Sequence, residues 1–205
     1  MNQKNIILVA RIVSLLFTPF YLPLVALIAL FVFSYLSVLP LSYKLSTLLL
    51  VYLGTVLVPT VMIHMYRHYQ GWSLIQLGQK ERRVMPYLIS IMCYFMCYYI
   101  VNVLHEPHMI GSILVAGLAI QILCALINVS WKVSTHSAAI GGMTGGLLAF
   151  SVIFNFNPVW WLCLCILIGG LVGTSRMILR QHTLAQVVAG YFIGLLGTFV
   201  VIILV

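Results

Sequence analysis

The chain has 205 residues, of which 63% are hydrophobic and 6% carry Asp, Glu, Lys or Arg, with a formal net charge of +8. Soluble domains average about 25% charged residues, so this set cannot cover a water-facing surface, and a soluble fold is excluded. The ten cations stand singly or in short groups at the ends of apolar runs, which excludes the basic face of a nucleic-acid binder and points to anionic lipid or a phosphate-bearing substrate.

A bilayer core takes roughly 20 apolar residues per helix. Charge-poor runs of that kind divide the chain into spans over 12–36, 45–66, 84–104, 109–130, 136–154, 159–175 and 183–205. The expected fold is an all-α polytopic membrane protein forming a single membrane domain. Pro19 and Pro23 lie in the first run, which is kinked or partly re-entrant, so the span count is six or seven. The start, MNQKNIILVAR, precedes a hydrophobic run too long for a signal-peptide core and lacks a small-residue cleavage site, so it reads as retained. The one long polar connection, HYQGWSLIQLGQKERR, runs along the interface with Trp72 as an anchor. HEPH around Pro107 and NFNP around Pro158 are short turns. All five cysteines fall inside spans without metal-ligand company and read as packing residues. Gly141, Gly142, Gly145 and Gly146 form small-xxx-small patterns on the fifth span, and Gly169, Gly170 and Gly173 do similar work on the sixth. They fit a tight hairpin of those two spans.

Each span carries the chain across the membrane, so alternate connections share a face. Parity then brings three polar clusters to one boundary: Gln79–Pro86 (QKERRVMP), Lys132–Ser137 (KVSTHS) and Ser175–Gln186 (SRMILRQHTLAQ). Together these clusters resemble the type 2 phosphatidic acid phosphatase superfamily, membrane lipid phosphatases with haloperoxidase relatives. The family's motifs are Lys-x6-Arg-Pro, Pro-Ser-Gly-His and Ser-Arg-x5-His-x3-Asp. Ser175, Arg176 and His182 match the third, with Gln186 in place of Asp. Ser134, Thr135 and His136 stand for the second, with Val133 and Thr135 departing from Pro and Gly. The first is degenerate, with Lys80, Arg82 and Arg83 before Pro86.

The resemblance implies a six-helix phosphatase core and an integral membrane lipid phosphatase. Its substrate is a lipid phosphomonoester or pyrophosphate within the bilayer, such as phosphatidic acid, phosphatidylglycerol phosphate, a polyprenyl pyrophosphate or a phosphorylated glycolipid. It assigns His182 as the nucleophile that forms a phosphohistidine and His136 as the general acid. Lys80, Arg176 and one of Arg82 or Arg83 hold phosphate oxygens, joined by Ser134 and the amides near Thr135 where the fifth span begins. Gln186 can orient the His182 ring but supplies no charge. Residue chemistry points the same way. The chain owns two carboxylates, Glu81 and Glu106, expected on opposite faces, so a carboxylate-bridged metal site is not expected and no cofactor is implied. His64, His68, His105 and His108 match no motif and read as boundary residues, Arg180 as a lipid-headgroup anchor, and Trp160 and Trp161 as an aromatic belt. Counting cations outside the motifs favours a cytoplasmic site, whereas the resemblance implies the outer face of the cell membrane, which is the expectation adopted. The rival expectation is a non-catalytic carrier or scaffold that binds anionic lipid.

Overall fold

In hydrocarbon every backbone N–H and C=O must be bonded within its own segment, and the apolar runs therefore fold as helices. The computed structural model describes residues 3–71 and 84–205. In chain order the helices are α1 (Gln3–Leu16), α2 (Leu22–Phe33), α3 (Leu41–Tyr52), α4 (Val58–Tyr69), α5 (Val84–Val103), α6 (His108–Ser130), α7 (Thr135–Phe154), α8 (Val159–Ile178) and α9 (Leu184–Leu204). Among the described residues they make seven segments long and apolar enough to cross a membrane, α1 with α2 and α3 with α4 each forming one. This is an all-α, multi-pass membrane fold. The α7 segment is the most enclosed of the seven. It is the core around which the rest gather, and each of the other spans also exposes large apolar side chains on its outward face.

The first span differs from the expected 12–36. It runs Lys4–Phe33, because helix α1 extends through both Lys4 and Arg11. A charge near a span end does not stop a helix when its head can reach the boundary. The expected kink is present. Thr18 is extended (φ −68°, ψ 136°) ahead of Pro19, a single 3₁₀ turn follows, and α2 restarts with Pro23 in its first turn. Proline excludes helical geometry from the residue before it and offers no N–H of its own, so the break falls there. The span is nevertheless crossing rather than re-entrant. Residues Ile6, Ile7 and Arg11 of α1 lie beside Ile178–Arg180 at the end of α8, whereas Phe33 at the end of α2 packs its ring 5.3 Å from that of Trp161 at the start of α8.

The glycines pair different helices from those expected. A Cβ on Gly141 would lie 1.9 Å from the Tyr191 carbonyl oxygen, and one on Gly145 2.1 Å from that of Leu195. In return, a Cβ on Gly194 would lie 1.7 Å from the Ala138 oxygen. The tight pair is therefore α7 with α9, running parallel, and not the α7–α8 hairpin. Helices adjacent in sequence need only touch, whereas backbone-to-backbone approach needs small residues facing each other on both partners. Gly190 and Gly194 on α9 supply that second face. The sixth-span glycines also serve α9: Gly169 receives the Tyr191 ring and Gly173 receives Val187.

At the boundary opposite the start of α7, Tyr43 donates a hydrogen bond to Glu106, and Thr47 Oγ1 lies 3.4 Å from both carboxylate oxygens. Burial pushes this carboxyl up from its ordinary value of 4.5. The folded state holds the proton more tightly than the unfolded chain, so the contribution is full below that ordinary value and is lost as pH rises through the raised one. Thermal unfolding in detergent should therefore show stability falling from about pH 4 toward neutrality. Glu106→Gln keeps an acceptor for Tyr43 and cannot ionise, so its melting temperature should fall less steeply than that of the wild type over that window. An equally steep fall in this variant would place the pH dependence elsewhere.

Candidate active site

The site grows from two helix starts held side by side. Ser134 is the N-cap of α7, extended at φ −85°, ψ 103°, and its Oγ accepts from the Ser137 N–H at 3.4 Å and pairs with the Ser137 hydroxyl at 2.9 Å. Both serines are buried. The backbone N–H of Ser134 donates to the Gln186 carbonyl at 3.3 Å, so the start of α7 is stitched to the first turn of α9. That stitch is possible because Gly190 lets the chains approach, a Cβ there being only 2.6 Å from the Ser134 oxygen. Thr135 and His136 follow in the first turn of α7, half-buried. The amides of such a turn have no partner within the helix and carry the positive end of its dipole, so they suit an anion.

The start of α9 is a capping box. Thr183 Oγ1 accepts from the Gln186 N–H at 3.4 Å, and the Thr183 N–H donates to Gln186 Oε1 at 3.3 Å. The same Oε1 lies 3.1 Å from His182 Nδ1. Only an oxygen can accept the Thr183 N–H, which fixes the orientation of the Gln186 amide. The His182 Nδ1 facing that oxygen must then be the ring's donor, leaving the lone pair on Nε2. His182 is 7% exposed, so the ring is held in an enclosed setting in one tautomer. Thr183-x-x-Gln186 has the capping-box spacing, and it explains why a glutamine serves at this position.

Arg176 comes from the last turns of α8. Its helix closes with Gln181 N–H donating to the Arg176 carbonyl at 3.1 Å and Arg180 N–H to that of Met177 at 2.9 Å, with Arg180 left-handed at φ 52°. This closure turns the chain from α8 into α9 within a few residues and brings Arg176 and His182 to one boundary. One turn deeper on each helix, Val172 and Ile140 share a buried cluster with Val13 and Phe17 of the first span. The Arg176 side chain is 7% exposed, and its Nη1 donates to Ser14 Oγ of α1 at 2.7 Å. Ser175 bonds the Leu171 carbonyl of its own helix at 2.8 Å, which makes it a packing residue. Ser14 and Ser137 carry no sequence signal. Ser14 meets Arg176 through the fold alone, and Ser137 is a neighbour of the motif that becomes visible once Ser134 is seen to be a cap.

Lys80, Arg82 and Arg83 lie outside the described residues. The helix that follows them starts at this boundary, since Tyr87 shares a buried cluster with Val133 and Ala138. The fold thus brings the second and third polar clusters together, with Ser134, His182, Gln186 and the first turn of α7 tied by direct contacts. Among the described residues no group of three His, Cys, Asp or Glu side chains could hold a metal ion. An imidazole with a defined lone pair, a second imidazole, a guanidinium and helix-start amides form a set that can stabilise a phosphoryl group and move one proton.

Comparisons with curated proteins and with solved structures return no match. A family model, that of the PAP2 superfamily, matches residues 87–205, more than half of the chain and a stretch that contains both helix starts and Arg176. The chain belongs to the PAP2 superfamily, and membership supports a phosphatase-type function for this multi-pass membrane protein.

Proposed function

We propose that the chain hydrolyses a lipid phosphomonoester or diphosphate through a phosphohistidine, without a metal, at the outer face of the cell membrane. The observation that carries this is the Gln186 amide, whose oxygen receives both Thr183 N–H and His182 Nδ1 and so leaves Nε2 as the nucleophilic nitrogen. Nε2 attacks phosphorus as the ester P–O bond breaks, and His136, protonated, gives its proton to the departing lipid alcohol. Water then attacks the phosphohistidine, His136 takes a proton from it, and the N–P bond breaks to return His182 and inorganic phosphate. Arg176, Lys80 and one of Arg82 or Arg83 hold the phosphate oxygens, and Ser134 with the Thr135 and His136 amides completes the cradle. Gln186 positions the nucleophile. The location, a polar site at the membrane boundary of a multi-pass protein, supports a lipid substrate.

Phosphate release from a panel of lipid phosphates tests the proposal. With chelator present, turnover should be nearly unchanged, and vanadate, a mimic of five-coordinate phosphorus, should inhibit. Abolition by chelator with rescue by Mg²⁺ or Zn²⁺ would sink the metal-free route.

The pairing of His182 with Gln186 has its own test. Gln186→Glu keeps the capping box and the reach to Nδ1 but adds a negative charge, which favours the imidazolium form of His182. The nucleophile must be unprotonated at Nε2, so the acidic limb of the rate profile should move up by about one pH unit or more. An unmoved limb would mean that the two side chains do not interact in the working enzyme.

A further inference from the structure

We propose that a cleft between the start of α1 and the end of α8 binds the anionic headgroup of an amphiphile, as a subsite continuing from Arg176 toward the water. The cleft has a volume of about 450 Å³ and is lined by Ile6, Ile7, Arg11, Ile178, Leu179 and Arg180. Two arginines face one space with apolar walls, which is the chemistry of a phosphate group attached to a hydrocarbon chain. No described carboxylate balances them, because Glu106 is bonded to Tyr43 at the other boundary. Like charges sharing a cleft repel each other, and an anion between them converts that repulsion into attraction.

The cleft adjoins the proposed reaction centre. Helices α1 and α8 run antiparallel, and the Ser14–Arg176 hydrogen bond of 2.7 Å marks the inner end of their seam. Arg11 precedes Ser14 by three residues, about one helical turn closer to the boundary, and Arg180 lies in the turn that closes α8 beyond Ile178, so both stand on the boundary side of the Ser14–Arg176 contact. An amphiphile with its reacting phosphate at Arg176 would therefore carry a second anionic group into the cleft, as a lipid diphosphate does. A separate anionic lipid could present the same group. Helix α1 lies outside the family-matched residues 87–205, so this subsite belongs to the chain's own N-terminal span. The placement of Arg176 beside the reacting phosphate rests on the function proposed above, whereas anion binding by the cleft does not.

The test uses the full-length protein in detergent and the double variant Arg11→Gln/Arg180→Gly. Glycine suits the left-handed φ of 52° at position 180, so the turn that closes α8 keeps or gains stability. Native mass spectrometry with equal phosphatidylglycerol and phosphatidylcholine should show wild type preferring the anionic lipid about tenfold more strongly than the variant does. No preference in wild type, or a preference undiminished in the variant, overturns the proposal. This readout needs no turnover and stays informative if the chain proves not to be a phosphatase. Kinetics in phosphatidylcholine micelles then separate the two sources. If the substrate itself fills the cleft, the KM for a lipid diphosphate relative to a monophosphate rises about tenfold in the variant. If a separate lipid fills it, that ratio holds, and only the wild type responds to added phosphatidylglycerol. A KM raised equally for both substrates would overturn a distinct subsite.

Discussion

Replacing His182 by alanine should remove turnover, with a loss on the order of 10⁴-fold or more, as when other covalent nucleophiles are deleted. The effect is expected to be this large because the proposed reaction runs through a covalent bond to His182, while His136 serves as the acid. The His182 ring is buried and its Nδ1 faces the Gln186 Oε1, so in the proposed mechanism attack falls to Nε2. Brief mixing of wild type with a ³²P-labelled lipid phosphate should trap an acid-labile phosphoenzyme that His182→Ala cannot form. Full activity in that variant would refute the enzyme assignment. A phosphoenzyme that persists would move the nucleophile to another residue. His136→Ala should behave differently. The loss should be about 10²–10⁴-fold for a lipid alcohol, which needs a proton to leave. It should be much smaller for bond cleavage of a nitrophenyl phosphate, whose leaving group needs none. A rapid burst of nitrophenol followed by slow release of phosphate would show His136 acting in both half-reactions.

Gly194→Ala should disable the protein from a position that touches no substrate. The new Cβ would stand 1.7 Å from the Ala138 oxygen and 2.7 Å from the Gly142 nitrogen. Both obstacles are backbone, so no rotamer change relieves them and the two helices must part. Overpacking of this kind costs about 1–3 kcal/mol or more, to be seen as a lower melting temperature in detergent. The functional loss should exceed what stability predicts, because α7 and α9 carry the two halves of the site. Parting them breaks the Ser134 N–H to Gln186 carbonyl contact, already 3.3 Å, and a misplacement of about 1 Å can cost roughly 10²-fold in rate. Gly170→Ala is the control. A Cβ there meets nothing within 4 Å, and alanine is the better helix former by about 1 kcal/mol, so stability should hold or rise and activity should stay. If Gly194→Ala leaves both properties intact, the α7–α9 approach does not set the site.

The boundary between what sequence determined and what only the tertiary structure decided follows the solvent. A bilayer imposes one coarse constraint along the chain, roughly 20 apolar residues per crossing, and that constraint is written directly in the residue order. The all-α fold, the last five spans to within a few residues and the convergence of Lys132–Ser137 with Ser175–Gln186 on one face were therefore legible without coordinates. So was Gln186, as the residue in the family's Asp position, whereas its capping box with Thr183 emerged only with the structure. What the bilayer does not encode is which helix faces which, since every span is equally soluble in lipid. Small residues on the fifth and sixth spans suggested a hairpin, yet the partner of Gly141 and Gly145 is the seventh span, because Gly190 and Gly194 complete the second face there. The run of α1 through Arg11, which leaves its charge in a cleft beside Arg180, needed the same three-dimensional information. Ser14 shows the limit most clearly. A serine in an apolar run is indistinguishable from any other until the kink at Pro19 and the antiparallel seam with α8 set it 2.7 Å from an arginine 162 residues away. Tertiary packing alone creates that contact.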